Sequence, residues 1–450
     1  METLNKKYFY RKMLLIGIPV VAQNLISMGL NLIDTLMIGK LGEEQVAAVG
    51  AANQVYFLFT VMLFGLYSGA AIFTAQYWGA KDIKSIRKIL GIDYSVGFGF
   101  ATVVSVVSFI AAPSIIDIFS DDPAVIGYGT DYLRTVCFSY IVTSFSFAIS
   151  YNSRAIQNLM VPTIINASAL CINAVLNYIL IFGKLGFESM GVEGAAIATF
   201  IARIFEMIAL LTYVYTHKDH PFNARPKELL SFGKAMFVKV MGTAITVVAT
   251  EGSWALSVSL IFAAYGMLGT AALAVAQVAN VFNELMQSVF FGVGNATAMI
   301  IGETLGQKDK ERAFAYGKES LKIVYILNIA ITLFLILMSK PIAGFYDFRP
   351  ETTGLLIITI ITMAFLTAPK MIAYIYIVGI LRSGGDTVFC MKLELACNLI
   401  IQVSLAYIAV LVLNLSLPWA MVLVELGDVI RIAFCMPRFK SRKWINFITD

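Results

Sequence analysis

The sequence predicts an all-α integral membrane protein with twelve transmembrane helices in two pseudo-symmetric six-helix bundles. Of its 450 residues, 59% are hydrophobic and 14% are charged, whereas soluble domains average roughly 45–50% and about 25%. The same chain contains twelve separate apolar runs, and an internal repeat relates the first six runs to the last six. This composition leaves no room for a soluble catalytic domain, so we do not expect an enzyme. The basic residues are dispersed, which gives no indication of nucleic-acid binding.

The first apolar run extends from Leu14 to Gly39 and carries two unusual residues. Its first 20 residues, up to Ile33, have no formal charge, which is about the length that a helix needs to cross a ~30 Å hydrocarbon core. Pro19 removes a helical hydrogen bond and favours a bend. Asp34 follows inside the run, where an ionised carboxylate costs roughly 2.5–3.5 kcal/mol. A helix with a buried acid and a bend indicates an ion site that moves.

Short loops separate the runs and divide the chain into two halves. The approximate spans are 12–37, 46–76, 88–113, 124–153, 162–183, 191–216, 236–263, 271–303, 318–345, 351–380, 387–412 and 415–436. The longest break lies at 217–233. We therefore expect an N-terminal lobe at 1–217, a cytoplasmic inter-lobe loop at 218–235, a C-terminal lobe at 236–437 and a cytoplasmic basic tail at 438–450.

The distribution of basic residues predicts the orientation in the membrane. Twenty-four Lys and Arg side chains fall in the termini and in alternate loops, whereas the other loops hold four, Lys40, Lys184, Lys340 and Arg349. Loops rich in Lys and Arg remain in the cytoplasm. We expect a multi-pass protein of the cell (plasma or inner) membrane with both termini cytoplasmic, which agrees with an even number of spans.

An ungapped repeat supports the division into halves. Residues 40–82 align with 267–309 at a shift of 227, and 12 of the 43 positions are identical. The identities include the loop GAKD at 79–82, which matches GQKD at 306–309.

A second match, RAIQN from Arg154 with RSGGD from Arg382, has a shift of 228. Two halves of six helices share one orientation, so an axis along the membrane normal should relate them. This is a recurring design of secondary transporters, in which a cleft between the halves opens alternately to each side.

Two intramembrane pairs of opposite charge are spaced i,i+3, Arg203 with Glu206 and Asp428 with Arg431. Residues three apart on a helix are neighbours. Mutual neutralisation is therefore the expected role of both pairs.

Two acids, Asp34 and Glu251, have no cation nearby along the sequence. One interpretation is a protonated carboxyl that is hydrogen-bonded into a packed core. The other is a carboxylate that alternately binds and releases a proton or Na⁺, since a carboxyl in an apolar environment accepts a proton more readily than one in water. The second interpretation makes both residues candidates for ion coupling.

Three polar residues in the fifth and sixth runs could complete an ion site with Asp34. Asn173 and Asn177 are spaced i,i+4 and therefore share one helix face, and Thr199 lies in the following run. Together these side chains could supply oxygen ligands to Na⁺. Polar residues also hold membrane helices together, so a purely structural role remains open.

Other chemistries find no support in the sequence. A GxxxxGK[ST] phosphate loop does not occur, which excludes the usual ATP-hydrolysing motif. His217 and His220 form a poor metal site, and we expect both in a solvated loop. All five cysteines lie in apolar runs and should be buried free thiols; they are Cys137, Cys171, Cys390, Cys397 and Cys435. We expect no cofactor other than the coupling ion.

Several segments resemble the multidrug and toxic compound extrusion (MATE) transporters. They are IPVVAQNLISMGLNLIDTLMIGKLG with VAAVG, GAKD, NAVLNYILIFG with GVEGAAIAT, EGSWALSVSLIFAAYGMLGT and ILRSGGDT. The similarity covers essentially the whole chain in order. It implies two six-helix bundles and a cation-driven antiporter that exports organic, mostly cationic and amphipathic compounds.

The resemblance also implies an ion site in the N-terminal lobe. The family's first-helix acid matches Asp34, its fifth-helix asparagine matches Asn173 and its sixth-helix threonine matches Thr199. A second acid one turn after that asparagine is replaced here by Asn177. A fourth-helix tyrosine of the site falls at Tyr132.

In the C-terminal lobe, the family's seventh-helix glutamate matches Glu251. Some members carry a tenth-helix aspartate, where this chain has Lys370 and Met371. We expect Lys370 to add a positive charge to the cavity and to pair with an acid such as Glu251.

The leading hypothesis is a monomeric antiporter that exchanges small organic drugs or metabolites for H⁺ or Na⁺ by alternating access. The single acid at the N-lobe site favours H⁺. The alternative is a flippase for lipid-linked oligosaccharides from the same superfamily, which would favour a cluster of basic residues for pyrophosphate. A channel would not explain duplicated halves with buried acids.

Overall fold

The computed structural model describes residues 6–344, 346 and 348–447, and this part of the chain is helical with loops and contains no β-strand. The α-helices are α1 (Lys6–Gly39), α2 (Glu43–Gly79), α3 (Ile83–Ile110), α4 (Ala112–Asp117), α5 (Pro123–Val136), α6 (Phe138–Ala155), α7 (Met160–Phe182), α8 (Gly191–Thr216), α9 (Pro226–Leu229), α10 (Lys234–Gly266), α11 (Thr270–Gly306), α12 (Lys310–Gly344), α13 (Pro350–Tyr374), α14 (Thr387–Leu395), α15 (Val403–Tyr407) and α16 (Leu417–Lys440). Three π-helical segments follow α13, α14 and α15; they are Ile375–Leu381, Ala396–Gln402 and Ile408–Val412.

The helices confirm a multi-pass membrane protein. Within the described residues, ten helical stretches are long and apolar enough to cross a bilayer, and the pair α5 and α6, bent by 46°, supplies an eleventh. The predicted twelfth span coincides with α16, which has 24 residues. Three charged side chains, Glu425, Asp428 and Arg431, lie in the middle of α16, and Arg438 and Lys440 lie in its last turn.

The chain folds as two compact units. The first unit consists of residues 22–244, and the second unit consists of the residues up to Val21 together with those from Ile245 onward. The lobes expected from the sequence divide at the inter-lobe loop, whereas the compact units divide inside α1 and inside α10. Each of these helices therefore contributes its opening residues to one unit and the rest to the other.

The repeat is visible in the backbone of both halves. Lys81 and Lys308 both adopt a left-handed conformation, with φ of 60° and 61°, which is uncommon for residues other than glycine. Asp82 then accepts a hydrogen bond from the Ser85 backbone N–H at 3.1 Å, and Asp309 accepts the equivalent bond from Arg312 at 2.9 Å. Both turns thus end in an aspartate N-cap, and the matching loops of the sequence repeat share one structure.

Two predictions about burial were wrong. Cys171 is exposed, unlike the other four cysteines, because it lies on an outward face of α7. His220 is buried, with 6% of its surface exposed, since the loop 217–225 folds back on the end of α8 and places the ring between Tyr213 and Phe222.

The close packing of α7 and α8 positions the polar side chains of the candidate site. These helices are joined by a short loop and lie side by side in the first unit. Gly194 of α8 permits the approach, because a Cβ at this position would lie 2.9 Å from the carbonyl carbon and oxygen of Leu180. The approach allows polar groups of α7 to reach α8 directly.

Candidate functional site

A cavity of about 380 Å³ lies within the first unit. It is lined by Asn31, Asp34, Thr35, Ile38, Val46, Val49, Gly50, Asn53, Tyr56, Tyr132, Val136, Ala169, Leu170, Asn173, Asn177, Ala195, Thr199, Ala202 and Arg203. All five residues that the sequence assigned to an N-lobe ion site, Asp34, Tyr132, Asn173, Asn177 and Thr199, are among them. Five different helices contribute lining residues, so chain folding has brought together groups that are distant in the sequence.

Both carboxylate oxygens of Asp34 receive amide hydrogen bonds from α7. Asn177 Nδ2 donates to Asp34 Oδ1 at 2.8 Å. With the Asn173 amide oriented to satisfy both of its ends, its Nδ2 donates to Asp34 Oδ2 at 2.9 Å and its oxygen accepts from Thr199 Oγ1 at 3.3 Å. The i,i+4 spacing of the two asparagines places both amides on one face towards the acid.

One acceptor at the site has no donor. Asn177 is 2% exposed, and its Oδ1 receives no hydrogen bond from any described residue. A buried polar atom without a partner costs about 1–3 kcal/mol and calls for an explanation. This oxygen lies on the amide that contacts Asp34, so a cation or a transferred proton at the carboxylate could satisfy it.

Tyr132 adds a hydroxyl to the same cavity. Its side chain is buried on α5, and its hydroxyl is hydrogen-bonded to Thr199. The hydroxyl group therefore belongs to the polar chain that leads through Thr199 and Asn173 to Asp34.

A positively charged side chain, Arg203, also lines the cavity. Glu206 neutralises its charge, as the i,i+3 spacing predicted. Arg203 Nη1 lies 2.8 Å from Glu206 Oε2, and Arg203 Nη2 donates to the Tyr56 hydroxyl at 3.1 Å. Asn166 Nδ2 donates to the other oxygen of Glu206 at 2.9 Å. Asp34 is consequently the acid of the cavity whose charge no direct ion pair balances among the described residues.

The prediction that Lys370 pairs with Glu251 was wrong. Glu251 Oε1 forms an ion pair with Arg382 Nη1 at 2.7 Å, not with Lys370. Lys370 instead lies in the electrostatic environment of Glu425. Arg382 lies between the predicted spans 351–380 and 387–412, but it is 3% exposed, because the turn that follows the π-helical segment Ile375–Leu381 directs it inward.

The second predicted i,i+3 pair is part of a larger network. Arg431 contacts Asp428 on its own helix, and its Nε lies 3.2 Å from Glu394 Oε1 on α14. Asn398 and Gln402 accept further hydrogen bonds from the same guanidinium group. Arg431 thus bridges two carboxylates and holds α14 against α16.

Sequence reasoning did not single out Asp93 of α3, a buried acid inside the third apolar run. It is 1% exposed and accepts a hydrogen bond from Asn152 Nδ2 at 2.7 Å. Asn152 Oδ1 in turn accepts from Thr74 Oγ1 at 2.6 Å. The charge of Asp93 inside the third apolar run was the available signal. Asp93 does not line the Asp34 cavity.

The comparisons with known proteins agree with this architecture. The family model MatE matches residues 19–179 and 243–408. The chain is 24% identical over 422 residues to the uncharacterized transporter YisQ of Bacillus subtilis, covering 92% of this chain and 90% of that protein. It is 22% identical over 353 residues to the probable multidrug resistance protein NorM of Thermotoga maritima, covering 76% and 73% of the two chains.

Solved structures share the fold over nearly the whole length. A MATE crystal structure described as the bent conformation superposes with a TM-score of 0.88 at 18% identity, covering 97% of this chain and 96% of that one. A MOP superfamily transporter from Pyrococcus furiosus gives a TM-score of 0.86 at 18% identity, with 96% of each chain covered.

The two matched segments together span well over half of the chain and fall one in each half of the repeat. The chain therefore belongs to the MatE family, the multidrug and toxic compound extrusion transporters, and is a membrane transporter rather than an enzyme.

Proposed function

We propose that this protein exports organic cations in exchange for protons and that Asp34 carries the coupling proton. One observation carries the proposal: Asp34 accepts amide donors at both oxygens while Asn177 Oδ1, on one of those amides, lacks a donor. The ionised carboxylate of Asp34 therefore has a hydrogen-bond donor at each oxygen, and the neighbouring Asn177 Oδ1 is available to accept a further hydrogen bond.

Proton binding at Asp34 would use that acceptor. The proton converts the carboxylate into a carboxyl, which becomes a hydrogen-bond donor at one oxygen. Rotation of the Asn177 amide then places Oδ1 opposite that donor. An asparagine can serve either form of the acid because it carries a donor and an acceptor on one group.

Na⁺ is the alternative coupling ion. Asp34, Asn173, Asn177 and Thr199 could supply oxygen ligands, which hard cations prefer. The replacement of the second acid by Asn177 leaves one carboxylate for the ion. A lone carboxylate suits a proton, which needs one basic oxygen, better than a cation that needs several oxygen ligands.

The cavity supports an organic cation as the exported substrate. Its volume of about 380 Å³ lies in the roughly 300–1,000 Å³ range of small-molecule sites. Tyr56 and Tyr132 offer aromatic surface beside Asp34, and aromatic faces attract cations. Arg203 does not oppose this, because Glu206 balances its charge. The relative NorM of Thermotoga maritima is named a probable multidrug resistance protein, which supports a drug-like organic substrate.

The flippase alternative receives less support. A pyrophosphate group would favour several basic side chains, whereas Arg203 is the basic residue among those described around the cavity, and it is already paired.

In the proposed transport cycle, the proton and the substrate cation compete for the carboxylate of Asp34. A proton that enters from the outer side neutralises Asp34 and removes its attraction for the bound cation, which then leaves. Proton release towards the cytoplasm restores the carboxylate for the next substrate. Asp34 lies on α1, which contains Pro19 and continues into the second unit, so α1 is the element through which the charge change would act.

We also propose that the protein works as a monomer in the cell membrane with both termini in the cytoplasm. The bias of basic residues towards the termini and alternate loops supports this orientation.

Efflux in proteoliposomes tests the proposal. A fluorescent organic cation is followed under an imposed pH gradient and then under an imposed Na⁺ gradient. We expect transport with the pH gradient alone and its loss in Asp34→Asn. Asp93→Asn is the matched control, because Asp93 is also a buried acid held by an asparagine but lies outside the cavity. Efflux that persists in Asp34→Asn contradicts the assignment of the carrier, and transport that needs Na⁺ contradicts the assignment of the ion.

A further inference from the structure

The second unit holds more acid around its buried arginine than the first unit does. The shift of 228 that matches RAIQN with RSGGD also matches Arg203 with Arg431. In the first unit one acid, Glu206, pairs with Arg203 at 2.8 Å. In the second unit two acids contact Arg431: Asp428 on the same helix, and Glu394, whose Oε1 lies 3.2 Å from Arg431 Nε. One carboxylate is thus sufficient for the arginine at this position of the first unit, whereas the second unit has two.

A further acid, Glu425, lies three residues before Asp428 on α16. Its Oε1 is buried and accepts no hydrogen bond from an N–H or hydroxyl group of the described residues. The positions of the first unit that correspond to Glu425 and Asp428 are Ile197 and Phe200, which are apolar. The first unit forms the same helix without either acid, so packing does not account for the two acids of α16. An ionisable residue inside a membrane span that packing does not explain indicates a functional site.

The two acids of α16 are hydrogen-bonded to each other. A hydrogen bond between two carboxyl groups requires a proton on one of them, because an ionised carboxylate can only accept. Asp428 is already held as an acceptor, since Arg431 donates to its Oδ1 and Gln402 Nε2 donates to its Oδ2 at 3.1 Å. The proton therefore belongs to Glu425.

The surroundings of this pair provide for both forms of Glu425. The charged and titratable groups that act on the pair are Arg431 on α16, Lys370 on α13, Tyr265 on α10, Glu394 on α14 and Cys397 after α14. Arg431 is shared by two other carboxylates. The positive charge of Lys370 acts on Glu425. Glu425 thus has Asp428 as its acceptor when it is protonated, and the charge of Lys370 opposite it when it is ionised.

We infer that Glu425 and Asp428 form a proton-binding site in the second unit, separate from the candidate carriers Asp34 and Glu251. Glu425 carries one exchangeable proton and donates it in a hydrogen bond to Asp428. When the O–H bond breaks, the proton passes to water and Lys370 balances the charge of the carboxylate. A metal cation fits the site less well, because Lys370 already supplies a positive charge there. The inference does not depend on the identity of the exported substrate.

Infrared spectroscopy of the purified full-length protein tests the site, because a protonated carboxyl has a C=O stretching band that a carboxylate lacks. Isotopic labelling of glutamate separates its band from those of the buried aspartates. At neutral pH we expect a glutamate band that loses intensity in Glu425→Gln and keeps it in Glu394→Gln. Glu394→Gln is the matched control, because Glu394 pairs with Arg431. The amide of Glu425→Gln can still donate to Asp428, so its melting temperature in detergent should not change.

Alkaline titration of the same band tests the role of Lys370. In the unaltered protein the band should disappear reversibly as the proton leaves Glu425. In Lys370→Gln it should persist to a pH about one unit higher or more, because an ionised Glu425 has lost the opposite charge. Lys340→Gln is the control, since Lys340 is exposed at the end of α12, and it should titrate as the unaltered protein does.

Three results would overturn the inference. The first is the absence of a protonated glutamate band in the unaltered protein at neutral pH, and the second is a band of full intensity in a stable Glu425→Gln protein. The third is an identical titration in Lys370→Gln and the unaltered protein, which decides the matter even if Glu425→Gln does not fold. The spectra should be the same in sodium and in choline chloride, and a band removed by Na⁺ at constant pH would replace the proton site by a metal site. These measurements use no transport, so their failure is distinguishable from failure of the efflux assay on Asp34→Asn.

Discussion

At the scale of single residues, charge and polarity inside apolar runs identified the acid of the cavity and the polar side chains around it. Asp34, Asn173, Asn177 and Thr199 were recognised because a polar side chain in a membrane helix is costly and requires a reason. The same signal identified Glu251 but gave it the wrong partner. Arg382 is separated from Glu251 by 131 residues, and hydrophobic patterns do not report contacts between distant segments.

His220 provides a test of pH dependence outside the membrane spans. Burial, followed by the nearby charge of His217, lowers the pKa of His220 from 6.5 to about 4. Its Nδ1 accepts a hydrogen bond from the Phe222 backbone N–H at 3.2 Å, which requires the ring to lack a proton there. In the unfolded chain the ring binds a proton near pH 6.5, so the native state loses stability as the pH falls from 6.5 towards 4.

We therefore expect the melting temperature in detergent to fall over this pH range and to fall less steeply in His220→Gln. His217→Gln is the control, because His217 is exposed at the end of α8 and its replacement should leave most of the dependence in place. An identical slope in His220→Gln and the unaltered protein would show that this ring does not contribute.

At the scale of elements, a glycine contact holds the opening of α1 against α11 in the second unit. A Cβ on Gly292 would lie 2.5 Å from Val21 Cγ2 and 2.8 Å from the Gly17 carbonyl oxygen. A Cβ on Gly17 would lie 3.5 Å from the Gly292 oxygen, an ordinary contact. The contact therefore leaves no room for a methyl group at Gly292 of α11 but accommodates one at Gly17 of α1.

Gly292→Ala should destabilise the protein by about 1–3 kcal/mol, because the added methyl group forces α1 and α11 apart. Gly17→Ala should be neutral or slightly stabilising, since alanine favours a helix by roughly 0.5–1 kcal/mol. Thermal unfolding in detergent measures both. A Gly292→Ala protein as stable as Gly17→Ala would show that the helices do not approach this closely.

At the scale of the whole molecule, the repeat and the bias of basic residues predict the topology. Exposed positions in two loops test it in a protein without its native cysteines: Glu188 lies in a loop expected outside the cell, and Ser231 lies in the inter-lobe loop expected in the cytoplasm. A membrane-impermeant maleimide should label Glu188→Cys in intact cells and Ser231→Cys only after permeabilisation. The reverse pattern would invert the proposed orientation.

The sequence by itself determined the fold class, the duplication, the family and five of the polar residues that line the cavity, Asp34, Tyr132, Asn173, Asn177 and Thr199. Composition and hydrophobic length constrain a membrane chain to helices, because every backbone polar group must be satisfied within the lipid. The duplicated loops GAKD and GQKD adopt the same turn, with Lys81 and Lys308 both at positive φ.

Only the tertiary structure decided which charges meet and where the compact units divide. Arg382 with Glu251 and Arg154 with Gln23 depend on how separate helices pack, as does the division of the units inside α1 and α10. These contacts join segments more than a hundred residues apart, and local periodicity carries no information about them.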